Sequence, residues 1–235
     1  MSSPLLWVVY ALLKKMSTVK FIKQQGFPSP LLCGIILSDS QEMGNLFMLD
    51  WTELERTCRA CQKCALAETR HNVVFGEGSR EAEVMFIGEG PGEQEDLTGR
   101  PFVGRAGKFL DEMLSIIDLD RSKYFIANMV KCRPPQNRDP LNVEMDACIG
   151  YLRNQVALIR PKIIVCLGRV AAVRLIREDF KITREHGLWF EKAGIQMMAM
   201  YHPSALLRDP RKRPEAFEDL KKLQAKMREI CVHTG

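Results

Sequence analysis

The sequence shows no convincing membrane span or secretory signal. Its early apolar run, PLLWVVYALL, is about ten residues long, where a spanning helix needs roughly 20. Lysines follow that run instead of preceding it, the reverse of a signal peptide. Internal repeats and low-complexity tracts are also missing. The glycine-rich segment GEGPGEQED has no lysine of the G-x-x-x-x-G-K-[ST] type and lacks dinucleotide-fingerprint spacing. Its Glu89, Glu93, Glu95 and Asp96 would repel phosphate. A disulfide-stapled miniprotein is excluded too. Eight cysteines are present, but 235 residues at 46% hydrophobic can build a sizeable core. The chain therefore reads as cytoplasmic, with reduced thiols free to bind metal.

Its formal charge is +5. Residues 1–47 hold four lysines against Asp39 and Glu42, which leaves about +3 for the body. Such mild basicity permits nucleic-acid binding without demanding it. Residues 1–47 have scattered apolar positions, the turn-prone GFPSP and no clear period. They read as a poorly ordered extension, or as a start placed upstream of Met43 or Met48; an interfacial helix over 4–15 is the minor alternative. Residues 48–235 form the domain.

From residue 50 a regular pattern begins. Short apolar strands are predicted at 83–88, 124–130, 162–168 and 195–203, with an irregular or hairpin segment at 180–194. Helices are predicted at 103–118, from Pro140 to about 158, after Gly168, and through the C-terminal EAFEDLKKLQAKMREI. In the first of these, Phe109, Leu110, Met113, Leu114 and Ile117 share a face. Strands alternating with helices imply an α/β fold: a three-layer α/β/α sandwich around a central, mostly parallel four-stranded sheet. Glu89, Asn128, Gly168 and His202 each fall at or just past a predicted strand's carboxyl end, the edge where open parallel sheets bind ligands. Four segments should therefore meet at one crevice.

The residues in that crevice carry chemistry. Glycines with carboxylates at a strand end suit close approach to a neutral base and the handling of a water. Asn128, inside an apolar strand, needs partners and can read a base edge. His202, before a proline, should face the crevice, although a lone histidine is more often structural. Phe102 is by default a core aromatic and, in the sharper reading, a stacking platform. Arg208, Arg211, Lys212 and Arg213 form a basic loop suited to phosphates.

Cys61-x2-Cys64, joined by the distant Cys132 and Cys148, has the composition of a tetrathiolate metal site. Cys58 lies three residues before Cys61, so either adjacent pair has ligand spacing. Spacing alone leaves zinc and iron–sulfur equally open. Cys166, inside an apolar strand, reads as an ordinary buried thiol.

The segments CQKC (61–64), VFGEG (74–78), GEGPGEQED (88–96), TGRPFVGRAG (98–107), NMVKCRPPQNR (128–138) and HPSALLR (202–208) resemble the family 4, iron–sulfur uracil-DNA glycosylases in the expected order over residues 50–235. The resemblance implies a structural 4Fe–4S cluster on Cys61, Cys64, Cys132 and Cys148, with Cys58 a bystander. It implies uracil flipped out of single- or double-stranded DNA, Phe102 stacking on the ring, Asn128 pairing with its polar edge, and the backbone of Glu89 and Gly90 holding a carbonyl. His202 would donate to the uracil oxygen where charge develops.

Better-known relatives carry aspartate at the Gly90 position, so water positioning falls to Glu89 or Glu95. Leu206 and Leu207 would wedge into the gap in the DNA, with Arg208 and Arg211 on phosphates. The segment NMVKCRPPQNRDP contains no histidine, which favours turnover over a covalent trap. The implied protein is a monomer associated with the nucleoid, with no membrane partner. The competing readings are a DNA-binding or polymerase-associated module of the same fold that cleaves nothing, and a structural zinc protein.

Overall fold

The computed structural model describes residues 49–233. The expectations placed on residues 1–47 lie outside the described residues. Three strands, β2 (Val84–Gly88), β3 (Tyr124–Asn128) and β4 (Ile163–Leu167), are buried at every position. Continuous apolar runs of this kind mark strands covered on both faces. With β6 (Ile195–Met200) they form four parallel neighbours in the order β3-β2-β4-β6. This is the expected four-stranded sheet.

Two antiparallel edge strands extend it to six, which corrects the count. The two-residue β1 (Glu77–Gly78) pairs with β3, and β5 (Trp189–Lys192) forms a hairpin with β6. The two residues of β1 are too few to show a period, whereas β5 falls inside the 180–194 segment read as irregular or hairpin.

Two apolar layers cover the sheet. On one face, β-strand residues such as Phe86, Ile126, Val165 and Met198 pack against Leu110 and Leu114 of α4 (Arg105–Ser115), Leu206 of α8 (Pro203–Arg208), and Leu220 and Leu223 of α9 (Arg213–Ile230). On the other, Met85, Phe125, Ile164 and Met197 pack against α5 (Asn142–Ile159) and α6 (Arg169–Leu175). Pro140 sits just ahead of the α5 N-cap, Leu141, and not in the first turn.

A third cluster joins α1 (Trp51–Arg59) and α2 (Leu66–Thr69) to α5 and to the loop after β3. It contains Cys58, Cys132 and Cys148, with Cys61 and Cys64 packed against it. The remaining α-helices among the described residues are α3 (Glu93–Thr98), which follows β2, and α7 (Ile182–Glu185).

The far edge of the sheet is closed by a clasp. Glu83, just before β2, accepts the backbone N–H groups of Val232 (2.8 Å) and His233 (2.7 Å). Lys162, just before β4, pairs with Glu83 at 2.7 Å and donates to the Ile230 carbonyl at 2.7 Å. The last turn of α9 is thereby tied to the amino ends of two central strands.

Candidate active site

Outside the carboxyl ends of the parallel strands lies a cleft of about 680 Å³. Glu89 after β2, Asn128 at the end of β3, Gly168 after β4 and His202 after β6 all line it, together with Gly90, Glu95, Phe102 and Arg208. The four-segment convergence expected from the sequence is therefore present, at the edge the topology dictates.

The floor of the cleft depends on two close approaches. Phe102 is 6% exposed and adopts φ 53°, a left-handed conformation that costs a bulky residue energy. Arg121 holds the strained turn, donating to the Phe102 carbonyl at 2.6 Å and to that of Pro101 at 3.2 Å while paired with Asp111 at 2.7 Å. The turn also needs Gly107, where a Cβ would fall 1.8 Å from the Phe102 oxygen. Gly88 is equally constrained: its Cβ would meet the Asn128 Oδ1 at 2.5 Å and the Phe102 ring at 2.6 Å. The ring and the amide thus share one wall.

Asn128 is 2% exposed, and its Oδ1 is buried without a hydrogen-bond partner. An orphaned acceptor of this kind costs about 1–3 kcal/mol unless something else satisfies it. His202 caps α8, its Nδ1 accepting from the Ser204 N–H (3.2 Å) and lying 2.8 Å from the Ser204 hydroxyl. Accepting at Nδ1 places the proton of a neutral ring on Nε2. Burial, then the Arg208 charge, depress its pKa to about 4, so the ring is neutral at pH 7. The Phe102 and His202 ring centroids are 5.9 Å apart.

The carboxylates divide sharply. Glu95 accepts from Gly92 N–H (3.1 Å) through Oε2, and from Val103 and Gly104 N–H (2.9 and 2.8 Å) through Oε1. It is the N3 residue of α3, reaching back to its own N-cap, and it clamps the glycine-rich turn to the segment before α4. Glu89 instead lies within the electrostatic reach of Asp139, which Arg169 holds at 2.5 Å. Burial first, then Asp139, push the Glu89 carboxyl up to about 7, while Arg169 and Arg208 pull it down.

Sequence reasoning missed Arg121, Ser204, Asp139 and Arg169. Only Ser204 left a signal, as a hydroxyl two residues past a capping position.

The wedge needs correction. Leu206 is 0% exposed and belongs to the core under α8, so it is not presented at the surface as a wedge would be. Leu207 is half-buried and Arg208 exposed at the cleft, while Arg211 is exposed and paired with Asp209 at 2.8 Å. Leu206→Ala should lower unfolding free energy by about 2–5 kcal/mol in denaturant titrations, whereas Leu207→Ala should leave it within about 1 kcal/mol and weaken DNA engagement. The opposite pattern would restore Leu206 to the wedge.

Cys61, Cys64, Cys132 and Cys148 line one cavity, as does the fully buried Cys58. The donor set is all thiol, and two N–H groups already point at sulfurs: Lys131 N to Cys148 Sγ (3.3 Å) and Arg70 Nη1 to Cys132 Sγ (3.4 Å). Among the described residues no group of three or more Cys, His or carboxylate side chains is drawn together tightly enough to hold a metal ion. Four thiols lining one cavity are a donor set that fits an iron–sulfur cluster. Hydrogen bonds to the sulfurs are among the levers that tune one. Cys166 is buried in β4 as expected.

Comparison with known proteins agrees with this architecture. Residues 75–223 match the family model described as the uracil DNA glycosylase superfamily. A type-4 uracil-DNA glycosylase of Archaeoglobus fulgidus is 44% identical over 179 residues, spanning 73% of this chain and 90% of that protein. Those of Sulfurisphaera tokodaii (47%, covering 70% of this chain and 79% of theirs) and Pyrobaculum aerophilum (41%, 73% and 92%) are similar over the same extent. The family-model match spans the strand-end cleft together with Cys132 and Cys148, and with these relatives it places the chain in the uracil-DNA glycosylase superfamily and, within it, in the type-4 family.

Proposed function

We propose that this protein excises uracil from DNA by hydrolysing its N-glycosidic bond, leaving free uracil and an abasic site for base excision repair. The observation that carries the reading is the buried, unpartnered Oδ1 of Asn128 in the same cleft as a neutral, Nε2-protonated His202. Uracil offers what both lack: an N3–H for the amide oxygen and a carbonyl oxygen for the imidazole.

A flipped base enters the cleft and stacks on Phe102, whose ring is already set by the Arg121 fork. Asn128 pairs with its polar edge, and the backbone at Glu89 and Gly90 holds a carbonyl. As the C–N bond breaks, both bonding electrons leave with the base, and His202 donates a hydrogen bond to the oxygen where that charge gathers. A water held by Glu89 adds to the oxocarbenium-like sugar and gives up its proton to that carboxylate, while the departed uracil anion takes a proton from solvent. Glu89 takes this role, and not Glu95, because both Glu95 oxygens are engaged by backbone N–H groups. Leu207 enters the gap in the stack, with Arg208 and Arg211 on phosphates.

Cys61, Cys64, Cys132 and Cys148 would hold a 4Fe–4S cluster, which fixes the loop after β3 and takes no part in the chemical step. Cys58 stays outside the ligand set, packed with Leu54 and Leu66. The protein acts as a monomer, at the DNA.

The test is a glycosylase assay on a uracil-containing oligonucleotide in EDTA, followed by alkaline cleavage of abasic sites, with Asn128→Ala in parallel. Cleavage that collapses in the variant supports the reading. A folded wild type that cleaves nothing would sink it in favour of a binding module. The purified protein should be brown and absorb at about 400 nm, as a cluster does. A colourless, zinc-loaded active protein would remove the cluster assignment.

A further inference from the structure

Lys131 is 1% exposed, a rare state for a lysine because taking the ammonium out of water is costly. Its Nζ donates to the Gln155 Oε1 at 2.7 Å and reaches back to the main-chain oxygen of Asn128 at 3.1 Å. Gln155 is itself fixed, its Nε2 donating to the Phe75 carbonyl at 2.9 Å. The backbone of Lys131 is equally engaged: its N–H donates to Cys148 Sγ at 3.3 Å and its carbonyl accepts from Val74 N–H at 2.8 Å. One residue thus touches the wall of the cysteine site with its main chain and the last peptide of β3 with its side chain.

We propose that Lys131 is a positioning residue for base recognition, gripping the peptide that carries Asn128 so that the amide meets the base in a single orientation. The proposal rests on Asn128 reading the base. A buried methylene chain ending in methyl would fill the same space without donating, so any purely packing role would be met by methionine. What methionine cannot supply is the donor to the Asn128 carbonyl, and a misplacement near 1 Å at a recognition group can cost about 100-fold in rate.

A double-mutant cycle isolates this link. Lys131→Met, Asn128→Ala and the double variant are compared for kcat/KM on uracil-containing DNA, with absorbance at about 400 nm and thermal unfolding recorded for each. Lys131→Met alone should cost about 10- to 100-fold, with absorbance retained. In the Asn128→Ala background it should cost no more than about threefold, because the group it positions is gone.

The same factor in both backgrounds would overturn the proposal, as would a loss of absorbance that tracks the loss of activity. Full activity in Asn128→Ala would remove the base-reading role itself and the proposal with it, an outcome distinguishable from failure of the lysine link alone. Should Lys131→Met fail to fold, Gln155→Leu withdraws the other anchor of Nζ, and the same cycle decides.

Discussion

Replacing His202 with alanine is expected to lower kcat for uracil excision about 100- to 1,000-fold, the range seen when one donor to a developing oxyanion is removed. KM should change far less, because the hydrogen bond strengthens as charge leaves the sugar. The side chain also caps α8, so alanine should cost about 1 kcal/mol of stability, too little to unfold the protein. The proton arrangement makes the prediction sharper. With Nδ1 accepting from Ser204 N–H and the pKa near 4, the donor is a neutral imidazole, and raising pH through 6 and 7 removes nothing from it. An alkaline fall in kcat centred near pH 6.5 that disappears in the variant would mean that imidazolium is the donor.

Glu89→Gln is the second large effect. A water-positioning carboxylate must be ionised, and burial followed by Asp139 raises Glu89 to about 7. Wild-type kcat/KM should therefore fall on the acid side, half-maximal near pH 7. Glutamine should lower kcat by about 100-fold or more and abolish that limb. An unchanged profile would take the water away from Glu89.

The two groups have opposite linkage to stability. His202, depressed below 6.5, contributes stability that is complete above pH 6.5 and is lost as pH falls toward 4. Glu89, raised above 4.5, contributes stability that is complete below pH 4.5 and is lost as pH rises through 7. Their slopes oppose each other between about 4.5 and 6.5, so the acid limb of activity should appear without a matching loss of fold from these two residues.

Much of this site was legible from strand ends. Apolar runs closed by Gly88, Asn128, Gly168 and the His202 segment fix where a parallel sheet presents its carboxyl edge, and that placement needed no knowledge of side-chain contacts. The choice between Glu89 and Glu95 was not legible. Both stand in one acidic run, and only the start of α3 at Glu93 makes Glu95 the N3 residue that turns back on its own N-cap. A glycine followed three residues later by glutamate was the available signal.

Leu206 and Leu207 were beyond reach for another reason. A six-residue helix has too few turns to phase two adjacent leucines, and packing against α4 and α9 decided which one is buried. The edge strand β1 follows the same logic, since pairing with a neighbour, and no pattern of its own, defines it.

The Glu83–Lys162 clasp has a practical consequence. It pins the end of α9 beside the amino ends of β2 and β4, while the cleft opens beyond their carboxyl ends. Strands of five residues set roughly 16 Å of sheet between the two. A tag, bead or fused protein attached past residue 233 would hang behind the sheet, and a molecule moored by that end would still offer its cleft to a passing duplex.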